Sequence, residues 1–283
     1  MITSAFTCTG AYAILILAGI KRVENRSSWP VPEKGRAAIS CSKSFNIGEY
    51  RRFMAWAAAN LRDDDFARLP CWEDVKDWPG KVVGVCEYSA RRRIDGAAES
   101  WDEGYDAWWD LRNVTPLDEL VPCKGCVGMW KLPGDVSRRV TWLYASTKVR
   151  GRKVQSAEDA AKIFGVFVPV CGDSEGFFVL PLDSEGGVLS APVLVSIGHE
   201  VGTTAIDVKD VFREALKVGA DAIIVAHNHP SGDLTPSKGD VETTKELQSL
   251  SDRLGLKFID HLIIGKSGFA STVEIQWRDL KRV

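Results

Sequence analysis

The stretch from Ile223 to Asp240, IIVAHNHPSGDLTPSKGD, constrains the chain more than any other. It opens as a continuous apolar run, the pattern of a strand buried on both faces. The run passes into His227-Asn228-His229 and is stopped at once by Pro230 and Gly232, which turn the chain. Ser237 and Asp240 follow at the expected start of a helix. Two imidazoles and one carboxylate, arriving from a strand end and a helix start, make a three-ligand zinc set. Such a set leaves a fourth position for water, as catalytic sites do and closed structural sites do not. Convergence of the two rings is expected to need a break in the strand, and Pro230 supplies one. Alone, each histidine would read as a satisfied core residue and Ser237-Lys-Gly-Asp240 as a capping box; their combination favours a metal.

The rest of the chain sets limits on that reading. A length of 283 residues suits two domains. The formal charge of −2 gives no global case for nucleic-acid or membrane binding, so any basic surface must be local. Cysteines 8, 41, 71, 86, 123, 126 and 171 show no framework spacing, which favours reduced thiols in a cytoplasm. The apolar run Ala11–Ile20 is too short to span a bilayer and has no Lys or Arg before it. It reads as a buried helix, and no membrane association is expected.

Every tryptophan except Trp277 lies at or before Trp142, and every histidine (199, 227, 229 and 261) lies after residue 190. The change falls at a segment rich in Arg138, Arg139, Lys148, Arg150, Arg152 and Lys153. The expected organisation is therefore a domain over 1–136, a solvated basic linker over 137–154 and a second domain over 155–283.

In the first half, Ala11–Leu17 reads as a helix ended by Gly19, Gly35–Lys43 as a strand, Glu49–Leu61 as a helix and Lys81–Tyr88 as a strand. Gly19, Lys21, Glu24 and Arg26 form the pattern Gly-x-Lys-x-x-Glu-x-Arg, followed by Lys43 at a strand end. With Pro79-Gly-Lys-Val-Val-Gly84, Pro122-Cys-Lys-Gly125 and Gly128-Met-Trp130, this half resembles the ASCH family, a small PUA-like β-barrel with helices. The family's Ser-x-Lys is not kept, because Ser42 and Lys43 are adjacent here. The resemblance implies a cleft for RNA, DNA or a modified base, lined by Lys21, Glu24, Arg26 and Lys43. An internal ion-pair network of the first three is the structural alternative. The amidohydrolase activity of some ASCH-like proteins is not carried over, since Glu24 stands where their threonine would be. Most tryptophans are assigned to the core, and Cys123 and Cys126 to two buried thiols.

In the second half, helices are expected from Ser156, from Asp207 and after Asp240. The helix after Asp207 is expected to bury Phe212, Ala215 and Leu216. Strands are expected over Phe177–Leu182, Val188–Val195, Ala222–Ala226, Ile259–Ile264 and Phe269–Val273. Alternating strands and helices predict an α/β sandwich around a central mixed sheet. The motif His227-x-His229-x7-Ser237-x2-Asp240, with Thr235-Pro-Ser237, Asp260-His261 and Ile263-Ile-Gly265, resembles the JAMM motif of JAB/MPN metalloproteases, most closely the RadC-like branch. That resemblance implies one zinc per chain on His227, His229 and Asp240, Ser237 holding an oxyanion, and Glu175 as general base. Glu185, Glu200 and Glu214 are rival bases; His199 and His261 are assigned to supporting positions. The expected activity is zinc-dependent hydrolysis of an amide or isopeptide bond, in a peptide or another amide substrate. A non-catalytic nucleic-acid-binding module with a structural or vestigial metal site is the alternative.

Overall fold

The structure, a computed structural model, describes residues 1–26, 33–92, 107–126, 128–198 and 206–273. Its contacts divide it into two units, Met1–Tyr144 and Ala145–Val283. Among the described residues no helix is long and apolar enough to cross a membrane.

The first unit runs β1 (Ser4–Cys8), α1 (Gly10–Leu17), β2 (Val23–Arg26), β3 (Lys34–Cys41), α2 (Ile47–Asn60), α3 (Asp63–Phe66), α4 (Trp72–Val75), β4 (Lys81–Arg92), β5 (Ala107–Pro122), β6 (Met129–Lys131) and α5 (Gly134–Val149). Thr9 caps α1 by accepting from the Tyr12 amide, and its apolar residues pack into the core. The six strands form one mixed sheet in the order β2-β5-β4-β3-β1-β6. A closed barrel was expected; among the described residues the outer strands β2 and β6 are not paired with each other. Both are short, four and three residues, whereas β4 and β5 are long and their pairing shifts register twice. Such bulges bend a strand and increase its twist.

The expected linker is a correction. Residues 134–149 are one helix, α5, and the division between units falls within it. Arg138, Arg139 and Lys148 are exposed, while Val140, Ala145 and Val149 are buried. Ser137 Oγ donates to the Ile2 carbonyl at 2.7 Å, and Thr141 Oγ1 accepts from the Ile2 amide at 2.8 Å. The basic residues mark the outer face of a packed helix, which a count of charges cannot tell from a loop.

The second unit runs α6 (Ala157–Phe167), β7 (Gly176–Leu182), β8 (Val193–Ile197), α7 (Val208–Lys217), β9 (Ala222–Asn228), α8 (Lys238–Leu254), β10 (Lys257–Ile264) and β11 (Phe269–Ser271). Its sheet, ordered β11-β10-β9-β7-β8, is mixed as expected: β9 and β10 are parallel and the other pairs antiparallel. Phe177 packs with Val211, Phe212 and Leu247 of α7 and α8, while the next residue, Phe178, meets Phe164 of α6 at 6.5 Å between ring centroids. Alternation along β7 thus places helices on both faces.

Two local expectations fail. The strand expected from Val188 is a single bridge to Leu182, with β8 starting only at Val193. Pro192 cannot donate to a ladder, which explains the gap. Leu216 is 52% exposed, because α7 turns its Val208, Val211, Phe212 and Ala215 stripe inward.

Candidate metal centre

β9 lies between β7 and β10, with His227 registered opposite Phe177 on one side and Ile263 on the other. The His229 amide still donates to the Ile264 carbonyl at 3.0 Å, one residue past the strand. No break between the rings is needed, contrary to expectation: residues two apart on a strand share a face. The chain turns only after both. Gly232, at φ +87°, donates its amide to the His229 carbonyl at 3.0 Å. Leu234 then seats over Gly265, where a Cβ would lie 2.8 Å from Leu234 Cδ2. This closes the loop beside β10.

The β9–α8–β10 crossover puts the first turn of α8 beyond the carboxyl end of β9, where open α/β sheets place their sites. Asp240 is the third residue of α8. Its carboxylate Oδ2 accepts the Ser237 amide at 2.7 Å, and Ser237 Oγ accepts the Asp240 amide at 3.1 Å. This capping box holds the carboxylate at a helix N-terminus, where negative charge is favoured.

His227 Nε2 stands 2.9 Å from His229 Nε2 and 3.2 Å from Asp240 Oδ1, and His229 Nε2 stands 3.7 Å from Asp240 Oδ2. Tetrahedral ligands bound about 2.0–2.1 Å from zinc are about 3.3 Å apart, so the set matches a small cation. The proton positions agree. His229 Nδ1 lies 2.5 Å from the Asp233 carbonyl, which only accepts, so the proton is on Nδ1 and the lone pair on Nε2. Thr244 Oγ1 gives its proton to the Asp240 carbonyl at 2.6 Å. It must therefore accept from His261 Nδ1 at 2.7 Å, leaving His261 Nε2 to accept from His227 Nδ1 at 2.8 Å. Both histidines then present Nε2 lone pairs to each other and to a carboxylate oxygen. That cluster of electron pairs fits a divalent metal.

Side-chain exposure rises from 5% at His227 to 13% at His229 and 18% at Asp240, so the donor set opens to solvent on one side. Behind it, buried Phe177 stacks on His227 and meets His261 edge-on. Burial, reinforced by His227, pushes His261 down to about 3 and keeps it neutral. Burial alone would raise the Asp240 carboxyl, but His227 whenever that ring is protonated, together with the bonds from Ser237, outweighs it and holds it well below the usual range.

The three residues expected as metal ligands, His227, His229 and Asp240, lie together in a group that could hold an ion. Ser237 is exposed at its edge. Glu175 immediately precedes β7 and is bracketed by the Asn228 side chain, which accepts from the Gly176 amide at 2.8 Å and donates to the Ser174 carbonyl at 2.9 Å. Of the rival bases, Glu185 is paired with Lys153 and Glu214 with Lys217 and Arg213. Glu200 and His199 lie outside the described residues. Asn228 and Thr244 have no assigned role in the sequence reading. Thr244, one helical turn after Asp240, had a spacing signal.

In the first unit, Lys21 is 1% and Glu24 4% exposed, and Lys21 Nζ sits 4.8 Å over the Tyr12 ring. Arg26 ends β2; its side chain lies outside the described part. Lys43 is exposed and lines a cavity of about 460 Å³ with Lys124, Thr9 and Gly80. Cys126 is exposed, so only Cys123 of that pair is a buried thiol.

A mixed sheet thus carries His-x-His at the end of its central strand and a carboxylate at the start of the next helix. Residues 154–277 match the family model described as the RadC-like JAB domain. A UPF0758 protein of Picosynechococcus is 36% identical over 195 residues, covering 67% of this chain and 74% of the relative. One of Finegoldia magna is 34% identical over 156 residues, 53% of this chain and 67% of the relative. One of Staphylococcus haemolyticus is 41% identical over 107 residues, 38% of this chain and 46% of the relative. The chain belongs to this RadC-like JAB (UPF0758) family. It spans about half the length of several of the curated relatives that it matches.

Proposed function

We propose that the chain is a zinc-dependent hydrolase of amide or isopeptide bonds, acting in a reducing cytoplasm. The observation that carries this reading is the convergence of two Nε2 lone pairs and one carboxylate at a solvent-facing edge. Four protein ligands would close a site, whereas three leave room for water. Zinc on His227, His229 and Asp240 would lower the pKa of a water molecule from about 15.7 toward 7. Glu175 accepts the proton of the attacking water on its carboxylate and returns it to the leaving nitrogen. Ser237 Oγ donates to the developing oxyanion, a contribution of about 2.7–4 kcal/mol for one well-placed donor.

The first unit selects a target linked to RNA, DNA or a modified base. We place that contact on Lys43, with Lys124 across the same cavity, since buried Lys21 and Glu24 are better suited to holding the fold. The seven free cysteines agree with a reducing compartment.

Zinc content and hydrolysis of a panel of peptide, isopeptide and acylated-base amides, measured for the wild type and Glu175→Gln, test the mechanism. The expected outcome is equal zinc and an activity lower by about 10²–10⁴-fold. Equal activity removes Glu175 from the mechanism, and a wild type unable to take up zinc ends the metalloenzyme reading.

A further inference from the structure

We propose that His261 and Thr244 are positioning residues that fix the tautomer of His227 and so set the metal affinity of the centre. The proposal deepens the metal-centre reading and rests on it.

The observation is a chain of hydrogen bonds with one possible direction. It starts at the Asp240 carbonyl, which only accepts. Thr244 Oγ1, four residues later on α8, lies 2.6 Å away and must give it the hydroxyl proton. A hydroxyl has one proton, so its other contact, His261 Nδ1 at 2.7 Å, has to donate. Neutral His261 is then a pure acceptor at Nε2, 2.8 Å from His227 Nδ1. The proton of His227 is therefore held on Nδ1, and its Nε2 lone pair faces His229 and Asp240.

Reversing any member reverses those after it. With the other tautomer of His261, a proton would point at His227 Nδ1, and His227 would carry its own on Nε2. That proton would occupy the space between the three donor atoms. The Thr244 hydroxyl, one helical turn from Asp240, thus decides which face of His227 is free for a metal.

The chain also closes on itself. Asp240 supplies the carbonyl that starts it and the carboxylate whose Oδ1 lies 3.2 Å from His227 Nε2, where it ends. His261 and Thr244 are both buried, 0% and 6% exposed, and the Phe177 ring edge fixes the His261 plane. Both ring nitrogens of buried His261 are committed, one to Thr244 and the other to His227.

The test uses the full chain with zinc or cobalt(II) alone, and does not depend on an identified substrate. Thr244→Val keeps the shape and removes the hydroxyl; Thr244→Ser restores it. His261→Gln keeps an acceptor facing His227 Nδ1, whereas His261→Leu does not. Removing a partner of a metal-ligating histidine typically weakens binding about 10–100-fold. Thr244→Val and His261→Leu are expected to lose that much affinity, with Thr244→Ser and His261→Gln staying within a few-fold of the wild type.

Nitrogen-15 side-chain spectra of the metal-free protein give a readout that lost packing would not move. The wild type is expected to show His227 protonated on Nδ1, and Thr244→Val a share of molecules protonated on Nε2. If Val is not accommodated, Thr244→Ala poses the same question. Wild-type affinity and an unchanged His227 tautomer in the hydroxyl-free variant would overturn the proposal. A wild type that binds neither metal would instead remove the metal-centre reading, and the spectra would still decide the tautomer relay.

Discussion

Both units bury polar side chains, and they do so differently. Around His227 the buried groups form a directional hydrogen-bonded chain leading from a sealed end, His261, to an open end at Asp240. Around Lys21 and Glu24 the groups are sealed on every side, with Lys21 over the Tyr12 ring. Burying a polar group is costly unless it is well partnered. A cluster that opens to solvent at one end can act on something arriving there; a closed one holds elements together. On the proposed function, this contrast separates the sequence-predicted site residues into a chemical set and a structural set.

The largest effect that could break the contrast is at the open end. Asp240→Ala is expected to abolish stoichiometric zinc uptake, measured by metal analysis after dialysis, while the zinc-free protein still folds, with a lower melting temperature because the capping box is lost as well. Retained zinc would show that the carboxylate is not a ligand.

Acid gives the next largest effect. His261 titrates at about 3 when folded and near 6.5 when unfolded. Between those values the unfolded chain binds a proton that the folded one does not, so stability falls as pH drops. The Asp240 carboxyl, held low in the folded state, adds to the loss once pH falls below about 3.8. Urea midpoints of the zinc-free protein are expected to decline from pH 7 to 4, with a shallower slope in His261→Leu. Identical slopes would show that His261 is not held neutral.

At the closed cluster, Lys21→Ala is expected to cost about 2–4 kcal/mol in urea unfolding, through a lost buried stem and cation–π contact, with zinc affinity unchanged. A variant as stable as the wild type would place Lys21 outside the structural set. The smallest effects are expected at the exposed cavity. Lys43→Ala and Lys124→Ala should each weaken binding of single-stranded RNA or DNA oligonucleotides a few-fold and lower the salt slope by about 0.7. Unchanged salt slopes would remove the cavity as a contact.

Much of the second unit was legible in residue order. The apolar run into His227 and the Asp207 and Ser156 caps specify local structure, because caps and periodicity act over a few residues. The His-x-His-x7-Ser-x2-Asp spacing also picked out three groups that the fold brings together. Less was legible where long-range packing decides. The basic run at 138–153 gave no sign that α5 buries Val140, and the charges of Lys21 and Glu24 gave no sign of their enclosure. Charge count is blind to which face a residue occupies.

By itself, then, the sequence determined which atoms could bind a metal and on which elements they sit. Only the tertiary structure decided how their protons are arranged. His261 comes from β10 and Thr244 from α8, 34 and 17 residues from the groups they bond, and a tautomer is set by what lies across a hydrogen bond. The same holds for Lys21, whose residue type suggested a cleft and whose side chain is enclosed beside the Tyr12 ring. Ligand identity is a property of spacing along the chain, while proton position and enclosure are properties of neighbours brought together by folding.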